Sequence, residues 1–414
     1  MRNRLVKGKR LGIAILAIAL AALLVATSCA PPPIIAEQKT AQFGWIVALT
    51  GGGAAPAQIM FSGGQDCIRH FNEQEAIPGV SVELLWRDSG LQFALARSHY
   101  ERFFAAGVPV MSCEESSLLR TVRGTLERDG VVMFTAGGGF KEIVYPDKPG
   151  WIYTISPTIS EQVAVVLQYF MENWKEERPP RLALVSIDIS FGLESRYVTE
   201  YARSLGFEVL PPETVPIVVL DSSVLLLRLK EAGADLVHIQ GLAEASGPIL
   251  RDADRLGLLD QMQFAGHSSA MGERVIQLTG VASEGFLVSR PYPWFSETEV
   301  PGIKLMLDNM MKYHGEVRRN AEYFTGWIET AVVCEAIRRA IDNAGYENLD
   351  GPAIKEALDG MKDFDVYGLA SVTYKSDDYR GVTKMAVYEV RDGEIVRVSD
   401  WREAPSGRDW EYKW

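Results

Sequence analysis

The chain has 414 residues, a formal charge of −12 and 47 % hydrophobic residues, a length and composition that suit two α/β lobes. Its acidic excess argues against nucleic acid as a partner. Its five histidines are scattered, and Cys67, Cys113 and Cys334 fall in no ligand spacing. Neither a metal site nor a cofactor is therefore expected.

The N-terminus sets the compartment. Arg2, Arg4, Lys7, Lys9 and Arg10 precede an apolar run from Leu11 to Val25, and Thr27-Ser28-Cys29 follows. This reads as a secretory leader over residues 1–28, too short and wrongly flanked for a stable membrane span. Its small-small-Cys ending resembles a bacterial lipobox with Cys29 as the lipidated residue. Ala26 departs from the aliphatic residue preferred there, which keeps ordinary cleavage and release open as the alternative. Residues 29–41, rich in proline and polar side chains, read as a tether. Without residues 1–28 the charge is −17, so attachment to the outer face of the membrane would rest on Cys29 rather than on charge. Cys67 and Cys334 sit on apolar helical faces and read as buried thiols.

Phe43–Leu49 is a strand ending in Thr50-Gly51-Gly52-Gly53, followed by a helix through Ile59, Cys67 and Phe71. That glycine-rich loop lacks the residues of a phosphate loop or a dinucleotide fingerprint. Val80–Trp86 is a strand, Phe93–Phe104 a helix and Val108–Met111 a strand. Ser112 to Ser117 then reads as a polar loop and 118–128 as a helix. Val131–Phe134 is a strand, and Thr135-Ala136-Gly137-Gly138-Gly139 a bare loop. The β-α-β-α-β-α-β order predicts a doubly wound parallel sheet. Two of its loops, one with hydroxyls at a helix N-terminus and one with unshielded main-chain N–H groups, suit a small polar ligand. Equally, Ser116 caps a helix and the glycines only turn the chain.

A second series begins after Trp151–Ile155 and Ser156-Pro157-Thr158. Helix 163–174 precedes strands at Leu182–Val185, Glu208–Leu210, Leu236–Ile239, Gln263–Ala265 and Phe286–Val288, with helices between them. Residues 289–301 read as a crossover. Helices at 303–313, 323–344 and 352–361 precede strands at 368–374, 385–390 and 395–398, with Asp392-Gly393 as a hairpin turn. The pattern predicts two doubly wound α/β lobes joined by hinge strands. Lobe 1 takes 42–157 and 290–368, and lobe 2 takes 158–289 and 369–414.

In this order the motifs resemble those of type I periplasmic binding proteins, specifically the branched-chain amino acid group that serves ABC importers. The resemblance rests on the Thr50-Gly51 loop, Arg87-Asp88-Ser89, Ser116-Ser117, Thr135-Ala136 and Ser190-Phe191-Gly192. It rests also on Ala232 to Leu236, Gly326-Trp327, Ala357-Leu358, Val372-Thr373-Tyr374 and Tyr379-Arg380-Gly381. It covers about residues 42–400 and implies two lobes that close on a ligand.

By that resemblance Ser116, with Ser117, holds a ligand carboxylate. Gly137, Gly138 and Gly139 form the second holding loop, Phe191 covers the ligand, and Gly241 to Glu244 lines another cleft loop. His267 stands where amino-acid binders carry an acidic residue, and Gly139 where they carry a Thr hydroxyl. Both departures remove partners for a zwitterion. A small carboxylate, an amide or an aromatic acid fits at least as well as a branched-chain amino acid, with His267 as donor. Glu244 or Glu114 is an alternative source of negative charge. Ordinary packing for Phe191, and for His267 a surface position or one behind the residues that touch the ligand, are the bland alternatives.

The function implied is a non-enzymatic, monomeric solute receptor that hands its ligand to an ABC permease. A sensor of the same fold feeding a signalling partner is the alternative. A hydrolase would need a nucleophile beside a base and an acid. No Gly-x-Ser-x-Gly elbow is present, and Cys113 has no predictable His partner.

Overall fold

The chain enters its first sheet at β1 (Lys39–Val47), which is buried from Phe43 inward. The computed structural model describes residues 38–51, 54–135, 139–146 and 150–412. Cys29, the leader, most of the tether, Gly137 and Gly138 lie outside them. The compact body begins at Thr40.

After β1 come α1 (Ala54–Glu73), β2 (Val80–Asp88), α2 (Phe93–Ala105), β3 (Val110–Cys113), α3 (Ser116–Val122), β4 (Val132–Thr135) and β5 (Ile152–Thr154). These strands form one sheet in the order β2-β1-β3-β4-β5. The pairs β1/β3, β3/β4 and β4/β5 are parallel. The strand order reverses between β1 and β3. Their carboxyl ends therefore flank a crevice.

The chain then crosses at 155–158 to α4 (Ile159–Asn173) and the second sheet. Its strands are β6 (Arg181–Ile187), β7 (Glu208–Val209), β8 (Glu213–Val215), β9 (Leu236–Gln240), β10 (Gln263–Gly266) and β11 (Leu287–Arg290), with α5 (Ala243–Arg255) after β9. The order runs β11-β10-β9-β6-β7, and β8 pairs farther along β6. This sheet reverses between β6 and β9, which opens a second crevice.

Residues 291–300 carry the chain to α6 (Pro301–His314), α7 (Ala321–Ala344) and α8 (Gly351–Asp359). The helix α7 packs along α1 so closely that backbones touch. A Cβ on Gly326 would lie 1.8 Å from the Met60 carbonyl, and one on Gly63 2.3 Å from the Tyr323 carbonyl. Only glycine permits that approach. The strands β12 (Phe364–Asp365), β13 (Ser371–Lys375) and β14 (Asp378–Gly381) form a small antiparallel sheet.

Two residues, Val382 and Thr383, then lead to β15 (Lys384–Arg391), antiparallel to β11. The hairpin to β16 (Glu394–Arg397) turns on Asp392 and Gly393, both at positive φ as a two-residue hairpin of this kind requires. A final strand, β17 (Arg402–Glu403), also pairs with β15.

Four readings need correction. Ser112 and Cys113 complete β3, because their side chains are fully buried, so the polar loop starts at Glu114. The helix assigned to 118–128 breaks at Arg123–Thr125 and resumes as Leu126–Asp129. The strand β8 went unseen, since Glu213–Val215 is too short to show alternation. The helix that periodicity places at Ile249–Leu256 begins instead at Ala243, with Pro248 inside it.

The first crossover is tied down by Glu161, which is fully buried. Thr158 caps α4 and exchanges hydrogen bonds with Glu161 in a capping box. The Glu161 carboxylate also accepts from the Gly407 N–H at 2.5 Å and from the Tyr145 hydroxyl. Arg380 of β14 lies 3.4 Å away and is itself paired with Asp378. Removing one partner of a buried ion pair leaves the other unpaired. Glu161→Ala is therefore expected to lower unfolding stability by about 3 kcal/mol or more in urea titration. A loss within the roughly 0.5 kcal/mol typical of surface sites would refute that role.

Candidate functional site

Crevice loops from both sheets converge where the two sheets face each other. From the first sheet comes the segment after β3. Glu115, not Ser116, occupies the N-cap of α3 and makes no side-chain cap bond. Ser116 is the first helical residue and half-buried, while Ser117 is exposed, so the capping alternative for Ser116 falls away. Gly139 is packed tightly: a Cβ there would lie 2.3 Å from Val144 Cγ2. Threonine at this position would collide with a stiff β-branched side chain.

From the second sheet come the loops after β6, β9 and β10. Phe191 and His267 are brought together, their ring centroids 5.1 Å apart and edge to face. His267 is 1 % exposed, which removes the surface alternative. Its Nδ1 accepts from the Ser269 N–H at 3.1 Å, which places the ring proton on Nε2. Burial, then the neighbouring His238 and the Arg290 charge, push its pKa down to about 3, so the imidazole is neutral. Its Nε2 has no partner among the described residues, nor do the side-chain nitrogens of His238 or the amide of Gln240. Gly241 follows β9 and is packed against Ala245 and Ile187. Glu244 is half-buried and lines an interlobe cavity of about 80 Å³ with Pro56, Ile59, Ser269, Arg274 and Glu322.

Sequence reasoning missed Arg120. It lies one helical turn beyond Ser116 on α3, so the two share a face. Its guanidinium donates to Ser190 Oγ at 2.5 Å and to Glu194, and stacks on Phe140 at 4.1 Å. Arg120 thus bridges α3 of the first sheet to the loop that carries Phe191. The one signal in the sequence was an arginine four residues after the serine.

Behind this wall sits a buried acid pair. Glu329 is fully buried and accepts from the Ser112 hydroxyl, and Glu114 accepts from Trp45 Nε1 at 2.9 Å. Burial pushes their carboxyls up, to about 7 for Glu329 and about 8 for Glu114. Glu114 keeps some residue exposure, yet its Oε2 is enclosed and unpartnered among the described residues. Among those residues no group of three or more His, Cys, Asp or Glu could hold a metal. Cys67, Cys113 and Cys334 are buried free thiols.

A family model described as "Periplasmic binding protein" matches residues 40–394. The chain belongs to the periplasmic binding protein family. Its fold is similar to that of a branched-chain amino acid ABC transporter from Thermus thermophilus solved with bound valine. The TM-score is 0.81 at 24 % identity, over 88 % of this chain and 97 % of that one. A fatty acid ABC transporter substrate-binding protein from Thermomonospora curvata is also similar, with a TM-score of 0.79 at 17 % identity over 91 % of this chain and 95 % of that one. A Leu/Ile/Val-binding protein homolog 7 from Brucella melitensis is 23 % identical over 54 % of this chain and 56 % of its own length. The chain spans about half the length of the curated relatives it matches. Among the described residues, no helix is long and apolar enough to cross a membrane.

Two predictions follow from the geometry. Arg120 is one-third exposed and Glu194 nearly enclosed, so their pair is worth about 1 kcal/mol. Arg120→Ala is expected to shift the ligand-free protein toward a more open form, seen as a larger radius of gyration in small-angle scattering. An unchanged radius would refute the bridge.

The second concerns pH. A carboxyl whose folded pKa lies above its unfolded value binds more protons when folded. Its contribution is full below about pH 4.5 and is lost as pH rises through about 7 to 8. Glu329→Gln, which cannot ionise, is thus expected to gain stability relative to the parent between pH 5 and 8. A gap that stays constant across that range would refute the assignment.

Proposed function

We propose that the protein is the extracytoplasmic solute-binding component of an ABC importer of the branched-chain amino acid type. It captures a small ligand without chemical turnover and hands it to a membrane permease. The observation that carries the ligand site is the pair formed by Phe191 and neutral His267 at the carboxyl ends of β6 and β10, where ligands settle in open α/β sheets. Family membership and the transport roles of the similar proteins support this reading.

On this reading the two sheets are the cores of two lobes, 42–157 with 290–368 and 158–289 with 369–414. Closure brings Ser116 and Gly139 against Phe191, Gly241, Glu244 and His267, and Gly137 and Gly138 belong to the same proposed ligand set. Residues 1–28 are removed, Cys29 carries a lipid that holds the protein at the outer face of the membrane, and 29–41 is the tether. The receptor works as a monomer.

The ligand differs from a standard branched-chain zwitterion. A neutral His267 presents an N–H donor where an ammonium would need an acceptor, and Gly139 has no room for the hydroxyl that would help hold it. A small carboxylate, an amide or an aromatic acid meets these groups better.

A thermal-shift screen tests this, on protein lacking residues 1–28 and carrying Cys29→Ser. The panel holds leucine, valine, their keto acids, short amides and benzoate. A ligand of the folded state raises the midpoint with concentration. Expected is a rise with an amine-free compound that is lost in His267→Phe. A rise with valine or leucine alone would overturn the ligand reading. A silent panel would count against small-solute capture itself.

A further inference from the structure

Arg290 ends β11 and is 1 % exposed. Its guanidinium lies 4.5 Å from the Trp294 ring, 5.6 Å from Phe324 and 5.9 Å from Tyr388. Aromatic faces stabilise a cation, but Nε and Nη1 of Arg290 have no hydrogen-bond partner among the described residues. The nearby acids are engaged elsewhere. Glu297 accepts from Tyr388, Arg397 and the Trp294 N–H. Glu322 is hydrogen-bonded by Ser269, and burial pushes its carboxyl up against the opposing pull of the Arg290 charge. Burial lowers Arg290 only to about 10, so it stays charged at neutral pH. An enclosed cation without an acceptor costs stability, and packing gives no reason to keep it.

The neighbouring strand end supplies a second donor of the same kind. His267 follows β10, senses the Arg290 charge, and carries its unpartnered proton on Nε2. A cavity of about 10 Å³ touches Arg290, Ser268, Ser269, Tyr292 and Glu322. That volume admits one oxygen-sized atom. The interlobe cavity of about 80 Å³ adjoins it, because Ser269 and Glu322 line both. A ligand of a few heavy atoms in the larger space reaches the smaller one with a single oxygen.

We propose that Arg290, beside His267 at the end of the adjacent strand β10, forms an anion receptor at the hinge end of the cleft, which takes the carboxylate of a small organic acid. The inference rests on the solute-receptor reading and specifies its ligand class. Negative charge is received at the end of β11, in addition to the hydroxyl of Ser116. The guanidinium gains the acceptor it lacks, and the aromatic rings around it keep the new pair dry and strong.

Titration calorimetry on the processed full-length protein in mild detergent tests this. The probes are isovalerate, 2-oxoisovalerate and benzoate, the primary amide of each, and valine. Expected is that the best acid binds the parent and weakens about 30-fold or more in Arg290→Gln, while its amide weakens less than about 3-fold. Arg290→Lys should restore part of the acid affinity. Ligand-free Arg290→Met should melt at or above the parent temperature, because an unpaired buried charge has been removed.

Equal losses for acid and amide, or no loss for either, would overturn the proposal. So would a marked fall in the melting temperature of ligand-free Arg290→Met, since Arg290 would then be structural. Binding of valine with no acid overturns this inference and leaves the receptor reading standing. No binding by any probe overturns both.

Discussion

The architecture hangs on a buried carboxylate at the first crossing between the sheets. Glu161 gathers its own helix cap, a main-chain N–H from the C-terminal segment, the Tyr145 hydroxyl and the Arg380 guanidinium. These groups come from sequence positions more than 200 residues apart. A charge in that position is tolerable only because every partner arrives. The N-cap, the small third sheet and the segment around Gly407 are thereby fixed relative to one another. The close crossing of α1 and α7 does the equivalent for the first sheet, where Gly63 and Gly326 let two backbones touch.

The Glu161 carboxylate has its donors, although Arg380 Nη1 beside it makes no hydrogen bond among the described residues, and several polar groups near the cleft are also incomplete. His238, Gln240, His267 and Arg290 are all nearly inaccessible, and all hold unpartnered atoms among the described residues. Buried polar groups are normally paired, so a concentration of exceptions marks a place kept for something other than stability. They cluster at the carboxyl ends of β9, β10 and β11, the edge at which such sheets meet their ligands. The buried acids Glu114 and Glu329 belong to the opposite wall, where each at least has one donor.

Most of the fold was legible because the strands are short apolar runs separated by amphipathic helices, and the β-α alternation admits few topologies. What escaped were features that depend on distant partners. Ser112 looks like loop until it is seen buried against Glu329. Helix 118–128 has the right periodicity, yet Gly124 and local turns interrupt it. At the site, Phe191 and His267 were singled out and do meet. Arg290 was passed over because an arginine before Pro-Tyr-Pro reads as surface crossover. Only the packing of Trp294, Phe324 and Tyr388 around it shows otherwise. Arg120 was missed for a related reason, since its partners lie 70 and 74 residues away.

The two-residue link at Val382 and Thr383 has a consequence for register. On β15, Met385 and Val387 face the α4 side of the second sheet, while Ala386, Tyr388 and Val390 face the other core. Both faces are covered, so no face of β15 can be surrendered to solvent. A link this short leaves no slack to absorb an extra residue. One insertion there would slide β15 by a position and exchange its two faces. Tyr388 would be carried away from Glu297, and Met385 would be driven into the space that Ala386 fills. The crossing at 291–300 is long enough to take up an added residue without such an exchange. Chain length is thus held strictly at one passage between the sheets and loosely at another, and β14 in effect sets the register of a strand in a sheet to which it does not belong.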